Sequence, residues 1–119
     1  MTETAGALAT PAYRELLDQV LDKWSVHVLE ELCEGPCRFN ELRRRVPASQ
    51  KSLSATLRRL ERNGIVVRTV LDARPVAVEY RITPLGKTLR EPVDAILRWC
   101  ETNLPAVERA RDRHDKLDA

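Results

Sequence analysis

The feature that most restricts the fold of this chain is a change of hydrophobic period at Asn63-Gly64. Before it, Leu53, Leu57 and Leu60 recur at helical spacing behind Ser49, a good helix-capping residue. After it, Ile65-Val66-Val67-Arg68-Thr69-Val70-Leu71 is rich in β-branched residues, as is Val76 to Thr83. The link Asp72-Ala73-Arg74-Pro75 between these runs carries turn chemistry. Upstream, Phe39, Leu42 and Val46 lie at i, i+3 and i+7, which predicts a short helix that Pro47 stops. Only Pro47-Ala48-Ser49 separates this helix from the next. Two short helices joined by a tight turn and followed at once by a hairpin predict a winged helix-turn-helix from about Lys23 to Gly86.

The flanks read as helices that seek partners. Thr10-Pro11 is a cap followed by proline at the first helical position, and Tyr13, Leu16, Leu17, Val20 and Leu21 then recur at helical spacing. Trp24, Val28, Leu29 and Leu32 form a second set that ends at Gly35-Pro36. Thr83-Pro84 repeats the cap-proline signal and opens a last helical region. Its stripe is Leu85, Leu89, Val93, Ile96, Cys100, Leu104 and Val107, spaced 4, 4, 3, 4, 4, 3. Such a stripe suits a coiled-coil-like dimer seam. Pro92 is expected to kink or break this helix near Glu91, and Pro105 near Leu104. The expected fold is mainly α with a small β-hairpin wing, carrying N- and C-terminal dimerisation helices. Residues 1–10 are read as a flexible N-terminus, 11–104 as the winged domain and 105–119 as a charged helix or tail. The expected dimer residues are Leu16, Val20, Val93, Ile96, Cys100 and Leu104.

The net charge of +2 conceals a strong asymmetry. Residues 1–37 carry a charge of −5, residues 38–68 carry +7 and residues 69–119 carry 0. A window of that charge in a nearly neutral protein points to a polyanion, and duplex DNA is the partner a helix-turn-helix implies. With the leucines of the second helix turned inward, its opposite side holds Lys51, Ala55, Arg58 and Arg62, flanked by Ser52, Ser54 and Arg59. Small residues permit close approach to a major groove, and Arg and Lys reach guanine edges or phosphates. Gln50, Lys51, Ser52, Ser54 and Ala55 are therefore assigned to base approach, and Ser49, the cap, is counted with them in the DNA-binding set. Arg58, Arg59 and Arg62 are assigned mainly to phosphate, supported by Arg43 and Arg44. Of the Arg43-Arg44-Arg45 run, one side chain is expected on phosphate and the others solvated or paired with Glu41. Arg74 at the wing tip either enters a minor groove or is an ordinary polar turn residue.

Taken jointly, Lys23-Trp24, Gly35-Pro36-x-Arg38-Phe39-Asn40-Glu41-Leu42-Arg43, Ser49-Gln50-Lys51-x-Leu53 and Val78-Glu79-Tyr80-x-Ile82-Thr83-x-x-Gly86 resemble the HxlR family of bacterial winged helix-turn-helix regulators, related to the MarR type. The resemblance covers roughly positions 20 to 100. It implies a homodimer on a palindromic operator, more often repressing than activating, and by analogy with MarR-like proteins a small-molecule inducer. Many relatives that sense electrophiles or oxidants carry a cysteine just before the first helix, where this chain has Pro11, Ala12 and Tyr13. Sensing at that position is thereby excluded, and Cys33 and Cys37 inherit no role.

Other chemistries find little support. His27 and Glu31 are i, i+4 neighbours that read as a surface pair rather than as metal ligands with Cys33, and His114 lies in a charged tail remote in sequence from Cys37. No phosphate loop, nucleophile elbow or zinc motif is present, so neither enzyme activity nor a metal or cofactor is expected. Trp24, Trp99 and Tyr80 are read as core or interface rather than as pocket lining. Three cysteines suggest reduced thiols, Cys100 being the candidate redox thiol because a seam position can bring it near its symmetry mate; plain packing is the competing reading. No apolar run is long enough for a membrane span and no signal peptide is evident, which predicts a cytoplasmic protein with no membrane partner. Two rival functions remain: a winged-helix protein-interaction module, and a thiol- or ligand-responsive sensor that still binds DNA.

Overall fold

The computed structural model describes residues 10–72 and 74–118. The expectation for 1–10 lies outside these residues apart from Thr10, as does Ala73 of the wing link. In chain order the elements are α1 (Pro11–Leu21), α2 (Lys23–Cys33), β1 (Cys37–Arg38), α3 (Phe39–Arg45), α4 (Gln50–Arg62), β2 (Val66–Leu71), β3 (Ala77–Ile82), α5 (Pro84–Lys87) and α6 (Arg90–Asp118). Two compact units divide between Thr88 and Leu89.

In the first unit α2 is the central post, packed against α1, α3, α4 and β3. Its apolar face, Val28, Leu29 and Leu32, meets a core completed by Leu42, Val46, Leu53, Leu57, Leu60, Ile65 and Val66, all buried. Asp22 separates α1 from α2 and caps the latter, its carboxylate accepting from Trp24 N at 3.0 Å and Ser25 N at 3.3 Å. The buried Ser25 hydroxyl donates to the Gln19 carbonyl at 2.6 Å, so a polar group in the core is satisfied by the end of α1. Thr10 occupies the cap position of α1 with Pro11 behind it, but its side chain makes no capping bond.

The exit from α4 shows why the period changes at Gly64. Asn63 ends the helix, Gly64 takes φ +74°, and Ile65 N donates to Leu60 O at 2.9 Å while Gly64 N donates to Glu61 O at 3.0 Å. This pairing satisfies the last carbonyls and points the chain into β2. β2 and β3 pair antiparallel from Val66↔Ile82 to Leu71↔Ala77. Sequence patterning missed the third strand: two-residue β1 adds to the far side of β3, giving the order β1-β3-β2. A two-residue strand has too little alternation to register as a pattern.

Thr83 locks the base of the wing to the end of α4. Its hydroxyl lies 2.6 Å from Gly64 O and 3.1 Å from Ile65 O as donor, and accepts from Gly86 N at 3.0 Å. Gly86 is buried where a Cβ would overlap the Ile65 carbonyl oxygen and crowd the Ile82 side chain.

The last helical region departs from expectation at both prolines. It is divided, but at Thr88-Leu89 rather than at Glu91: α5 is one turn, and Pro92 lies in the first turn of α6, where a missing N–H costs nothing. Nor does Pro105 end the helix, which runs on to Asp118. Only the Glu101 carbonyl loses its helical donor, and it lies on an exposed stretch. Trp99, expected in core or interface, is exposed on the single chain, whereas Tyr80 is buried.

Gly86→Ala is expected to destabilise the protein by about 2–3 kcal/mol through overpacking, and Gly64→Ala by about 1 kcal/mol through a strained positive φ. Urea unfolding midpoints at unchanged slope check both the size and the order.

Candidate nucleic-acid interface

Burial of Leu53, Thr56, Leu57 and Leu60 fixes the rotation of α4. Its opposite face then presents Lys51 and Arg58 as exposed side chains, with Ser52, Ser54 and Ala55 half-exposed between and beside them. Ser49 caps the helix, its hydroxyl accepting from Ser52 N at 3.0 Å, and so is committed to the backbone as well as to the face. The α3–α4 connection holds four residues, Val46 to Ser49, one more than the sequence suggested, because Val46 is already extended.

The cations of the basic window differ in freedom. Arg43 Nη1 donates to Gln50 Oε1 at 3.2 Å, which joins α3 to the start of α4. Arg44 is exposed. Arg45 is the member of its run that pairs with acids, at 3.7 Å from Glu31 and 3.9 Å from Glu41. Arg59 leans back on its own helix, donating to Thr56 Oγ1 at 3.3 Å. Arg62 lies 4.0 Å from Glu15 of α1, and beside it Asn63 donates to Gln19 Oε1 at 2.7 Å. Lys51 and Arg58 form no ion pair among the described residues. Arg74 is exposed in the wing connection, away from α4 in sequence. The Asn63–Gln19 bridge and the Arg62–Glu15 pair were invisible to sequence reading, since 44 residues separate the first two partners and no periodicity spans such a distance.

Around α3 the carboxylate of Glu41 accepts from Arg38 N at 2.9 Å. That bond, chiefly, and then the guanidinium charges of Arg45 and Arg44 hold the Glu41 carboxyl below its ordinary 4.5. Because the folded value is depressed, the carboxylate contributes stability above the ordinary value and loses it as pH falls through the depressed one. Burial pushes the Cys37 thiol up, and the Arg45 guanidinium, with Nη1 3.8 Å from its sulfur, only partly offsets this. Cys37 is therefore a protonated, buried thiol at neutral pH. His27 and Glu31 are 4.0 Å apart as an i, i+4 pair, and among the described residues no cluster of His, Cys, Asp and Glu suits a metal ion. No helix among them is long and apolar enough to cross a membrane.

The residues expected in a dimer seam fall into two groups. On α1, Val20 is buried within its own chain, whereas Leu16 is exposed together with Tyr13, Leu17 and Leu21. On α6, Val93 is buried, and Ile96, Cys100 and Leu104 are exposed along with Leu97 and Trp99.

A basic, small-residue helix face beside a wing is the arrangement of a helix-turn-helix regulator, and the HxlR-like helix-turn-helix family profile matches residues 19–108. The chain belongs to this family. The HTH-type transcriptional regulator YtfH of Escherichia coli is 42% identical over 100 residues, covering 83% of this chain and 79% of YtfH. The structure of the transcriptional regulator ytfH from Salmonella typhimurium superposes with a TM-score of 0.78 at 39% identity, covering 86% of this chain and 91% of that one. The redox regulator HypR in its reduced form superposes with a TM-score of 0.74 at 37% identity, covering 84% and 99%. The HxlR-like chain is thus a DNA-binding transcriptional regulator of the helix-turn-helix type.

In acid titration monitored by thermal melting, Glu41→Gln is expected to melt below wild type at neutral pH. The gap should close as pH falls below 4.5.

Proposed function

We propose that this regulator is a homodimeric repressor that binds a palindromic operator and excludes polymerase, with no enzymatic activity of its own. The observation that carries the reading is the outward face of α4: Lys51 and Arg58 have no ion-pair partner among the described residues, with only small side chains between them to obstruct a groove. Exposed aromatics, which a protein-binding face would favour, are missing from it. Gln50, Lys51, Ser52, Ser54 and Ala55 approach bases, while Arg43, Arg44, Arg58, Arg59 and Arg62 meet phosphate and Arg74 reaches beside the wing. The exposed apolar residues of α1, and separately those of α6, are large enough in number to require covering. A second copy of the chain would place two recognition helices about 34 Å apart, in successive major grooves.

Arg58→Ala is expected to weaken operator binding and to reduce the salt slope by about 1. Lys51→Ala should also change the preferred sequence. Mobility shifts on sites recovered by genomic footprinting check both, and absence of duplex binding at low salt would sink the reading.

A second reading, that thiol oxidation releases the operator, is favoured by the exposure of Cys100 and by the likeness to HypR, a redox regulator. Diamide should then give a cross-linked dimer on a non-reducing gel that Cys100→Ser abolishes. No cross-link in the wild type removes Cys100 from consideration.

A further inference from the structure

Helix α1 is held to the rest of the first unit by little apolar burial. Of its 11 residues only Val20 is buried, while Tyr13, Leu16, Leu17 and Leu21 are exposed. A single buried side chain makes a pivot, so polar bonds must set the direction in which the helix points. Those bonds gather on Glu15 and Gln19, which lie four residues apart and share one side of the helix. The Gln19 carbonyl accepts from the buried Ser25 hydroxyl at 2.6 Å, which fixes the end of α1 on α2. The Gln19 side chain binds a different helix: its Oε1 accepts from Asn63 Nδ2 at 2.7 Å. Asn63 ends α4 with its backbone N–H on Arg59 O at 3.0 Å, so α4 itself places the donor. The neighbouring pair, Arg62 with Glu15 at 4.0 Å, is exposed on both sides, where water and salt weaken it. Arg62 is also assigned to phosphate, so the Asn63–Gln19 bond is the polar link that persists when Arg62 engages DNA.

We propose that Gln19 is a positioning residue for operator recognition: through Asn63 it fixes the angle between α1 and α4, and so the half-site spacing the protein accepts, without touching DNA. This assignment rests on the homodimer proposed above, in which a second copy covers the exposed face of α1. In such a dimer the two α1 helices are fixed relative to each other, and each α4 is carried by its own α1. The separation of the two α4 helices is then only as well defined as the α1–α4 angle in each copy. One base pair of spacing moves a half-site by about 3.4 Å along the duplex and turns it by roughly a tenth of a helical turn. A phosphate contact adds affinity at any spacing, whereas a bond that holds an angle adds affinity only where the spacing matches that angle. The amide bond of Gln19 is directional and partly shielded from water, which assigns the angle to it rather than to the screened pair at Glu15.

Binding of the full chain to duplexes carrying two footprinted half-sites at their native spacing, or one base pair longer or shorter, tests the assignment. Gln19→Ala is expected to lower affinity at the native spacing by about three- to tenfold, the worth of one partly buried hydrogen bond. At the other spacings it should change affinity by less than about twofold, and the salt slope should stay as in wild type because no phosphate contact is lost. Gln19→Glu, which keeps an acceptor for Asn63, should restore the discrimination. Asn63→Ala should reproduce the loss, and the double variant should lose nothing further. An equal loss at every spacing makes Gln19 a merely structural residue and overturns the proposal. So does a fall of about 1 in the salt slope, which marks a phosphate contact, or a double variant whose losses add. If wild type sediments as a monomer or binds all spacings alike, the homodimer reading falls and this proposal with it. A dimeric, spacing-selective wild type that Gln19→Ala matches at every spacing overturns the proposal alone.

Discussion

Everything on the outer surface of the first unit depends on one act of burial, that of the α4 leucines against α2 and β2. Leu53, Leu57 and Leu60 are essentially inaccessible, and burying each contributes roughly 1.5–3 kcal/mol relative to exposure. No rotation of α4 could expose them without forfeiting several such terms. The orientation of Lys51 and Arg58 is therefore a by-product of hydrophobic packing, which sets the functional face without any polar contact having to hold it. Thr56 reinforces the arrangement, since its buried hydroxyl is satisfied by Arg59 from the same helix.

Polar contacts act on a finer level, by deciding which cations remain available. Arg45 faces Glu31 and Glu41, Arg62 faces Glu15 and Arg59 folds back on Thr56, so the basic window is less uniform than its summed charge suggests. These are exposed or half-exposed pairs, each of little energetic consequence, and a phosphate can compete for the same guanidinium. Arg62 and Asn63 also link the end of α4 to α1, on which Tyr13, Leu16, Leu17 and Leu21 are exposed. Thr83 and Gly86 do the corresponding work at the wing, where a hydroxyl and a missing side chain let β3 return close to the exit of α4.

Much of this was legible in the amino-acid order because the signals are local. Ser49 and Thr83 cap as their positions suggest, Gly64 ends α4, and the β-branched runs become β2 and β3. Proline was read too strongly: Pro92 and Pro105 carry the same local warning, yet one sits where no donor is needed and the other in a helix long enough to tolerate a lost bond. The asymmetry of charge and the periodicity of the leucines agreed because both arise from the same residues, 38 to 68, a stretch that the family resemblance also includes.

What the sequence by itself determined is the helix-turn-helix with its wing and the basic side of α4, since both follow from periods of two and 3.6 residues acting over short spans. Tertiary structure alone decided which arginines are paired and that β1 joins the sheet beside β3. Those outcomes depend on bringing together residues dozens of positions apart. Burial of a common core achieves that, and no local pattern encodes it.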